Sequence, residues 1–358
     1  MEFTTGGRLE VRITASDVGK RVSVRSLTGS DVRHASFTDT VGVLTSWNDG
    51  VLHITRRGGQ SVPIAETAVV AGKVVPDAPA RRRGVPAARV RELVEVAARG
   101  WPAIETAQLG GWTLRASSGE HTARDASADD QPPQLREGFT ARANSVLPLG
   151  DPGMPLDEAV ERARGWYTSR GLVPRVQVTT GGERTDELLA AELEQRGWRG
   201  EKYALLRVAA LAPLADREPD SRVLLSRVPD QRWLSLYRRT GGLPDAAVKV
   251  LTGGPSVWFA TVPGEGGGSG SPDAIGRCVI DGRWAGFAAV EVAPDRRRQG
   301  LATAVMAELA RVALDEGASA AYLQVESDNA AAGALYDRLG FADHHAYHYR
   351  RAPLDGSA

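Results

Sequence analysis

One cysteine in 358 residues, Cys278, excludes an intramolecular disulfide framework and any zinc cage built on two or more thiolates, so the fold rests on packing. Lysine is almost as scarce, occurring only at Lys20, Lys73, Lys202 and Lys249. Nearly all positive charge is therefore arginine, a skew that GC-rich coding produces without functional pressure. An arginine cluster then counts as a phosphate signal only where its spacing argues for it. Net charge is also lacking. The 44 basic and 44 acidic side chains cancel, which removes the whole-protein field that would favour a nucleic acid or an anionic membrane as partner. Nowhere do about 18 apolar residues run together, as a membrane-crossing helix requires. The start, with Glu2, Arg8, Glu10 and Arg12, reads as neither signal peptide nor anchor. A cytoplasmic protein without a metal is the expectation.

What is present is an ordinary globular composition, 42% hydrophobic and 25% charged, and a length that at ~150 residues per domain suggests two or three domains. Up to about residue 75 the pattern is short alternating segments, residues 21–25, 40–45 and 51–55, with Asn48-Asp49-Gly50 between two of them as a hairpin signal. No helical stretch is available to cover them, so they are expected to close on themselves as a small barrel over residues 1–78, SH3-like in layout. Residues 79–87 follow as a linker. Its Arg81-Arg82-Arg83 is read as a solvated face.

Helical periodicity starts at Ala88, and strands alternate with helices from there on, predicting an α/β fold with mixed sheets flanked by helices. Two series within it are alike. In the first, residues 144–150 lead to a helix at 155–170, a strand at 175–178, a helix at 187–196, Gly197-Trp198 and a strand at 203–208. The second has a strand at 288–294, a helix at 300–316, a strand at 322–326, a helix at 330–339, Gly340-Phe341 and a strand at 345–350. Gln177 answers Gln324. This is an internal repeat of domain-sized units, residues 88–211 and 222–351. Between two strands of the second unit, the glycine-rich run from Gly264 to Pro272 does not open a helix, which a phosphate cradle needs. It is read as a flexible hairpin loop.

The informative run is Val290-Glu291-Val292-Ala293-Pro294-Asp295-Arg296-Arg297-Arg298-Gln299-Gly300-Leu301-Ala302-Thr303. A buried strand ends, a short turn follows, and Gly300 opens a helix whose stripe is Leu301, Val305, Leu309 and Val312. Free amides, a positive dipole end, small residues at 300 and 302, and mobile charge from Arg297 and Arg298 together make a site for a pyrophosphate. Taken alone, the same run is also a Gly-started helix behind an Arg-rich surface turn.

This run resembles the acetyl-CoA-binding motif of the GCN5-related N-acetyltransferase superfamily, Arg/Gln-x-x-Gly-x-Gly/Ala after a strand. The downstream order of strand, Asn329, helix with Leu335-Tyr336, and Gly340-Phe341 is similar to that family too, and the likeness covers about residues 221–351. The resemblance implies an acetyl-CoA-dependent enzyme that acetylates a primary amine, small or peptidic, by direct attack in a ternary complex. It implies that Val290, Glu291 and Val292 meet the pantetheine arm through their backbone. Arg297, Arg298, Gln299, Gly300, Leu301, Ala302 and Thr303 would hold the pyrophosphate, with Asn329 near the pantetheine. Tyr336 would protonate the departing thiolate, or else merely fill the core beside Leu335 and Leu339. Glu291 and Glu326 are the candidate bases, each equally readable as a surface carboxylate. Gln324 stands where many relatives carry Glu.

The first repeat departs from the motif. Its loop reads Asp151-Pro-Gly-Met-Pro155-Leu-Asp157-Glu158, with carboxylates where an anion would bind, and its counterpart of Tyr336 is missing. A scaffold or substrate-cleft role is expected for it, in a tandem arrangement similar to the mycothiol-forming acetyltransferases, from which the N-terminal barrel departs. An acyl-CoA-responsive module without turnover is the alternative. His344, His345 and His348 lie on the closing strand, where alternation would place His344 and His348 on one face and His345 on the other. Cys278 is read as a packed thiol.

Overall fold

A computed structural model describes residues 10–28, 36–76, 84–117, 135–237, 245–264 and 271–353; Arg81-Arg82-Arg83 and most of the glycine-rich run lie outside them. The N-terminal segment holds β1 (Arg21–Thr28), β2 (Ser36–Asn48), β3 (Val51–Arg56), β4 (Ser61–Ala65) and β5 (Val69–Val74). They form one antiparallel sheet in the order β4-β3-β2-β1-β5. Its hairpin turns where Asn48 pairs with Val51, with Asp49 at φ 52° and Gly50 at φ 73°, the doubly left-handed turn whose twist matches the strands. Alternation puts Val22, Val24, Leu44, Leu52, Ile54 and Ile64 into a core of their own with Ile13.

Then come α1 (Val90–Gly100), β6 (Glu105–Leu109), β7 (Trp112–Ala116), β8 (Leu147–Pro148), α2 (Leu156–Thr168), β9 (Arg175–Thr180), α3 (Glu187–Gln195) and β10 (Arg199–Ala210). The second series runs α4 (Ala212–Ala215), β11 (Leu224–Ser226), α5 (Gln231–Leu236), α6 (Asp245–Thr252), β12 (Ser256–Val262), β13 (Ala274–Asp281) and β14 (Trp284–Val292). It ends with α7 (Leu301–Asp315), β15 (Ala320–Glu326), α8 (Ala330–Arg338) and β16 (Ala342–Arg351). Eight strands join one mixed sheet, β11-β12-β13-β14-β15-β10-β16-β9. The closing strand of each series stands within the other's territory. β10 pairs antiparallel with β15, Leu206 opposite Gln324, and on its other edge with β16, Leu206 opposite His345; β16 in turn pairs with β9.

The sheet is covered on both faces. On one, α7 buries Leu301, Val305, Met306 and Leu309, and Leu339 just after α8 joins them, against Phe287, Leu323 and Val325, each such side chain contributing about 1.5–3 kcal/mol relative to exposure. On the other, α5 and α6 pack Trp233, Leu236, Val250 and Leu251 on Phe259, Ile275 and Val279, while α1 lays Leu93 and Val96 on Trp284 and Tyr322. Among the described residues no helix is long and apolar enough to cross a membrane.

The three clustered histidines do not follow strict alternation. The β10–β16 register shifts between Leu206 and Arg207, whose partners are His345 and Asp343, so His344 is the extra residue of a bulge. The bulge turns His344 and His345 together, Nδ1 to Nδ1 at 2.9 Å, while His348 lies apart, stacked on Tyr203 at 4.7 Å. Cys278 is fully buried, and burial pushes its thiol up to about 12.

Candidate active site

Two parallel strands that part company create the central feature. β14 pairs with β15 only from Trp284 opposite Ala320 to Phe287 opposite Leu323. Beyond that point β14 runs on through Ala288–Val292 and β15 through Gln324–Glu326, leaving facing backbone edges without each other as ladder partners. The cause is local. The β13–β14 register shifts between Ile275 and Arg277, and Ala289 takes φ 51°, a bulge that re-aims the strand. Residues 288–292 are half-buried.

At the mouth of the divergence the chain makes a short 3-10 turn, Pro294–Arg296, one residue after the strand; the strand itself stops at Val292 rather than at Pro294. Gly300 then caps α7 at φ 80°, and no side chain caps the helix there. This is left-handed backbone that glycine adopts without penalty. A Cβ at Gly300 would meet nothing within 4 Å, so the space over the helix start is open rather than filled by protein. The amides of Leu301, Ala302 and Thr303 lie in that first turn, and Arg297, Arg298 and Gln299 are exposed beside it. Arg297 and Arg298 make no ion pair among the described residues. Such a helix start attracts anions through its unbonded N–H groups and dipole.

Tyr336, on α8, is half-buried, its ring edge-on to Phe341 at 5.8 Å, in the apolar cluster that also takes Val290, Val292 and Leu335. It therefore shares the α7 face with the strand end. Asn329 caps α8, its side-chain oxygen accepting from the Ala332 amide at 3.1 Å. Glu291 alternates with Val290 and Val292 and so lies on the opposite face of β14. Glu326, exposed at the end of β15, shares the face of Tyr322 and Gln324. The structure thus brings Tyr336 and the helix start to one side of the divergence, and the two carboxylates to the other.

A recess of about 40 Å³ opens on that second side, lined by Trp101, Arg142, Tyr237, Arg277, Ala288 and Gln324 among others. Sequence reasoning passed over it. The available signal was Arg277, a lone charge in the middle of an apolar strand.

A larger cavity, about 1350 Å³, lies between β8, β9 and the starts of α2 and α3, with Arg57 and His344 on its wall. At its edge α2 carries Asp157 and Glu158 in its first turn, held by Arg196 at 2.7 Å and Arg162 at 2.6 Å. A diphosphate is disfavoured there by like charge. Asp186 accepts from the Thr179 amide at 2.9 Å, and burial pushes its carboxyl up to about 7.

The family described as "Probable histone acetyltransferase Rv0428c C-terminal" matches residues 134–350, and the chain belongs to it. It is an acetyltransferase. The Mycobacterium tuberculosis protein named "Probable histone acetyltransferase Rv0428c" is 29% identical over 325 residues, 89% of this chain and 90% of the relative. The Bacillus subtilis "Uncharacterized N-acetyltransferase YobR" is 26% identical over 73% of this chain and 98% of its own length. A solved GCN5-related N-acetyltransferase from Kribbella flavida shares the fold at TM-score 0.50 and 16% identity, covering 75% of this chain and 97% of that one.

Proposed function

We propose that the second α/β unit, residues 222–351, transfers the acetyl group of acetyl-CoA to a primary amine by direct attack in a ternary complex. The observation that carries this reading is the divergence of β14 from β15 beside the uncapped start of α7. Open space over Gly300 and two cations without ion pairs among the described residues fit a pyrophosphate. The bare β14 edge over Val290, Glu291 and Val292 fits an amide-bearing arm that can add its own hydrogen bonds.

The thioester supplies an activated acyl carbon and a thiolate leaving group. Around it, Arg297, Arg298, Gln299 and the amides of Gly300, Leu301, Ala302 and Thr303 would hold the diphosphate, with Asn329 beside the arm. The Val292 amide would donate to the carbonyl oxygen as that oxygen takes up negative charge. An amine nitrogen would form the new C–N bond as the C–S bond breaks. Its spare proton would leave toward Glu291 or Glu326, directly or through water, because Gln324 offers no base. Tyr336 would give its hydroxyl proton to the departing sulfur.

In the same reading residues 88–211 are a degenerate repeat serving as scaffold and cleft wall, and residues 1–78 close as an SH3-like barrel. Calorimetry with acetyl-CoA, followed by a panel of amines monitored for released CoA thiol, tests the proposal. Binding with turnover of some amine is expected. Tight binding without turnover of any amine would instead make the chain an acyl-CoA-responsive module.

A further inference from the structure

Two cations converge on Trp101. The guanidinium carbon of Arg277 lies 4.8 Å from the indole centroid and that of Arg142 5.6 Å, both within cation–π range. Arg277 projects from the middle of β13 and is 1% exposed. Its Nε donates to the Leu251 carbonyl at 2.6 Å and its Nη2 to the carbonyls of Gly100 and Gly253 at 3.0 and 2.9 Å. Arg142 comes from the turn at Ala141–Ala143, and its Nε donates to the Tyr347 hydroxyl at 3.2 Å. No carboxylate of the described residues pairs with either guanidinium. Burial pushes Arg277 down to about 10, which leaves it cationic at neutral pH. Among the other buried arginines, Arg175 pairs with Glu137 and Glu201 and Arg207 with Asp337 and Asp343, whereas the Arg115 guanidinium is bonded only to Ser145 and Gln177 among the described residues.

Charges withdrawn from water without a counter-ion are costly unless a ligand supplies one. Both guanidiniums line the recess beside the point where β14 and β15 part, and its size suits one carboxylate. The same recess is lined by Gln324, whose side-chain oxygen is buried with no donor among the described residues. One ligand type supplies both missing partners: an anion for the arginines and, near the thioester, an N–H for Gln324.

We infer that the acceptor is a small amino-acid-like amine, its carboxylate held by Arg142 and Arg277 and its amine presented past Gln324 to the β14–β15 opening. This rests on the acetyl-transfer reading and narrows its acceptor class. A carboxylate could also arrive on the acyl group of a dicarboxylic acyl-CoA, and the test separates the two sources.

Full-length protein is assayed with matched pairs, phenylalanine against phenethylamine, tryptophan against tryptamine, and further amino acids against their decarboxylated amines, alongside a peptide with an internal lysine. The amino acids should be preferred in kcat/KM by at least about 100-fold, as expected where a site's polar groups are left unpaired by the analogue. Arg142→Gln should collapse that ratio to below about fivefold and Arg142→Lys should retain part of it, with acetyl-CoA affinity moving less than about twofold in both. Arg277 is left intact because its three carbonyl bonds join β13 to α1 and α6. Where no amine is turned over, the N-acetyl amino acids and N-acetyl amines are compared as calorimetric ligands of the CoA-loaded protein. Equal use or binding of the decarboxylated partners, preference for the internal lysine, or an unchanged ratio in Arg142→Gln overturns the inference. So does an Arg142-dependent preference for succinyl-CoA over acetyl-CoA, which assigns the carboxylate to the donor. Absence of acetyl-CoA binding would overturn the parent reading instead.

Discussion

Tyr336 packs its ring on Phe341 in the cluster that also takes Val290 and Val292. Phenylalanine keeps the ring and deletes the acid. Tyr336→Phe should therefore lower kcat by about 10²–10⁴-fold while acetyl-CoA affinity changes less than about twofold. Unchanged turnover with chemistry shown to limit the rate would leave Tyr336 as packing. A second residue-scale consequence concerns stability. His348 is buried with neither ring nitrogen hydrogen-bonded among the described residues, and desolvation, aided by Arg350, pushes it down to about 3 from 6.5. The native state keeps it neutral while the unfolded chain protonates it, so stability is full above about pH 6.5 and falls as pH drops from there toward 3. His348→Leu cannot take up that proton. Whatever it costs in packing, its stability relative to wild type should improve by about 2 kcal/mol between pH 7 and pH 5 in urea denaturation. A difference that does not move with pH would contradict the burial of a neutral imidazole.

At the scale of elements, the helix at Leu301–Asp315 was legible because its start and its stripe are both local features: Gly300 at the cap, and Leu301, Val305 and Leu309 at helical spacing. The hairpin at Asp49-Gly50 was legible for the same reason. The bulge at Ala289 was not, since alanine carries no signal for φ 51° and the cause is the mismatch with β13 across the ladder. Nor was the bulge at His344, which arises from pairing with β10, where the partners flanking the shift lie 139 residues (Leu206 and His345) and 136 residues (Arg207 and Asp343) apart. Of the candidate site, the anion end could be read from residue order, whereas the Arg142–Arg277 recess could not, because its walls come from α1, a turn before β8, β13 and β15. The exchange of closing strands was equally hidden. It has a consequence: β10 fills the gap between β15 and β16. A chain of residues 222–351 alone should fail to give a cooperative monomeric fold, since removing β10 strips ladder partners from both strands. A sharp thermal transition in a monomeric 222–351 protein would show that the second unit closes its sheet unaided.

Across the whole molecule, the N-terminal sheet keeps an apolar core to itself and meets the α/β body through polar contacts of the turn after β3 and through a smaller approach of β2 and Gly19 to Leu188 on α3. Thr180 Oγ1 donates to the Arg57 carbonyl at 2.8 Å, Arg57 Nη2 donates to the carbonyls of Asp343 and His344 at 3.1 Å each, and Gly59 lies against His348. Contacts of that kind contribute about 0.5–1.5 kcal/mol each, little beside the buried cores. A chain starting near Val85 should therefore fold and bind acetyl-CoA with an affinity within about threefold of the full protein; insolubility or lost binding would make the N-terminal sheet part of the catalytic body. The central claim is that one opening, the divergence of β14 and β15 over Gly300, takes the acyl donor, while the acidic α2 start does not. Calorimetric titration of acetyl-CoA into the full-length protein and into Gly300→Val tests it most directly. One site per chain is predicted, with binding lost or weakened at least about 30-fold in a folded Gly300→Val protein, whose branched side chain is strained at φ 80° and crowds the helix-start amides. Two equivalent sites, or an unchanged affinity in the variant, would contradict the account.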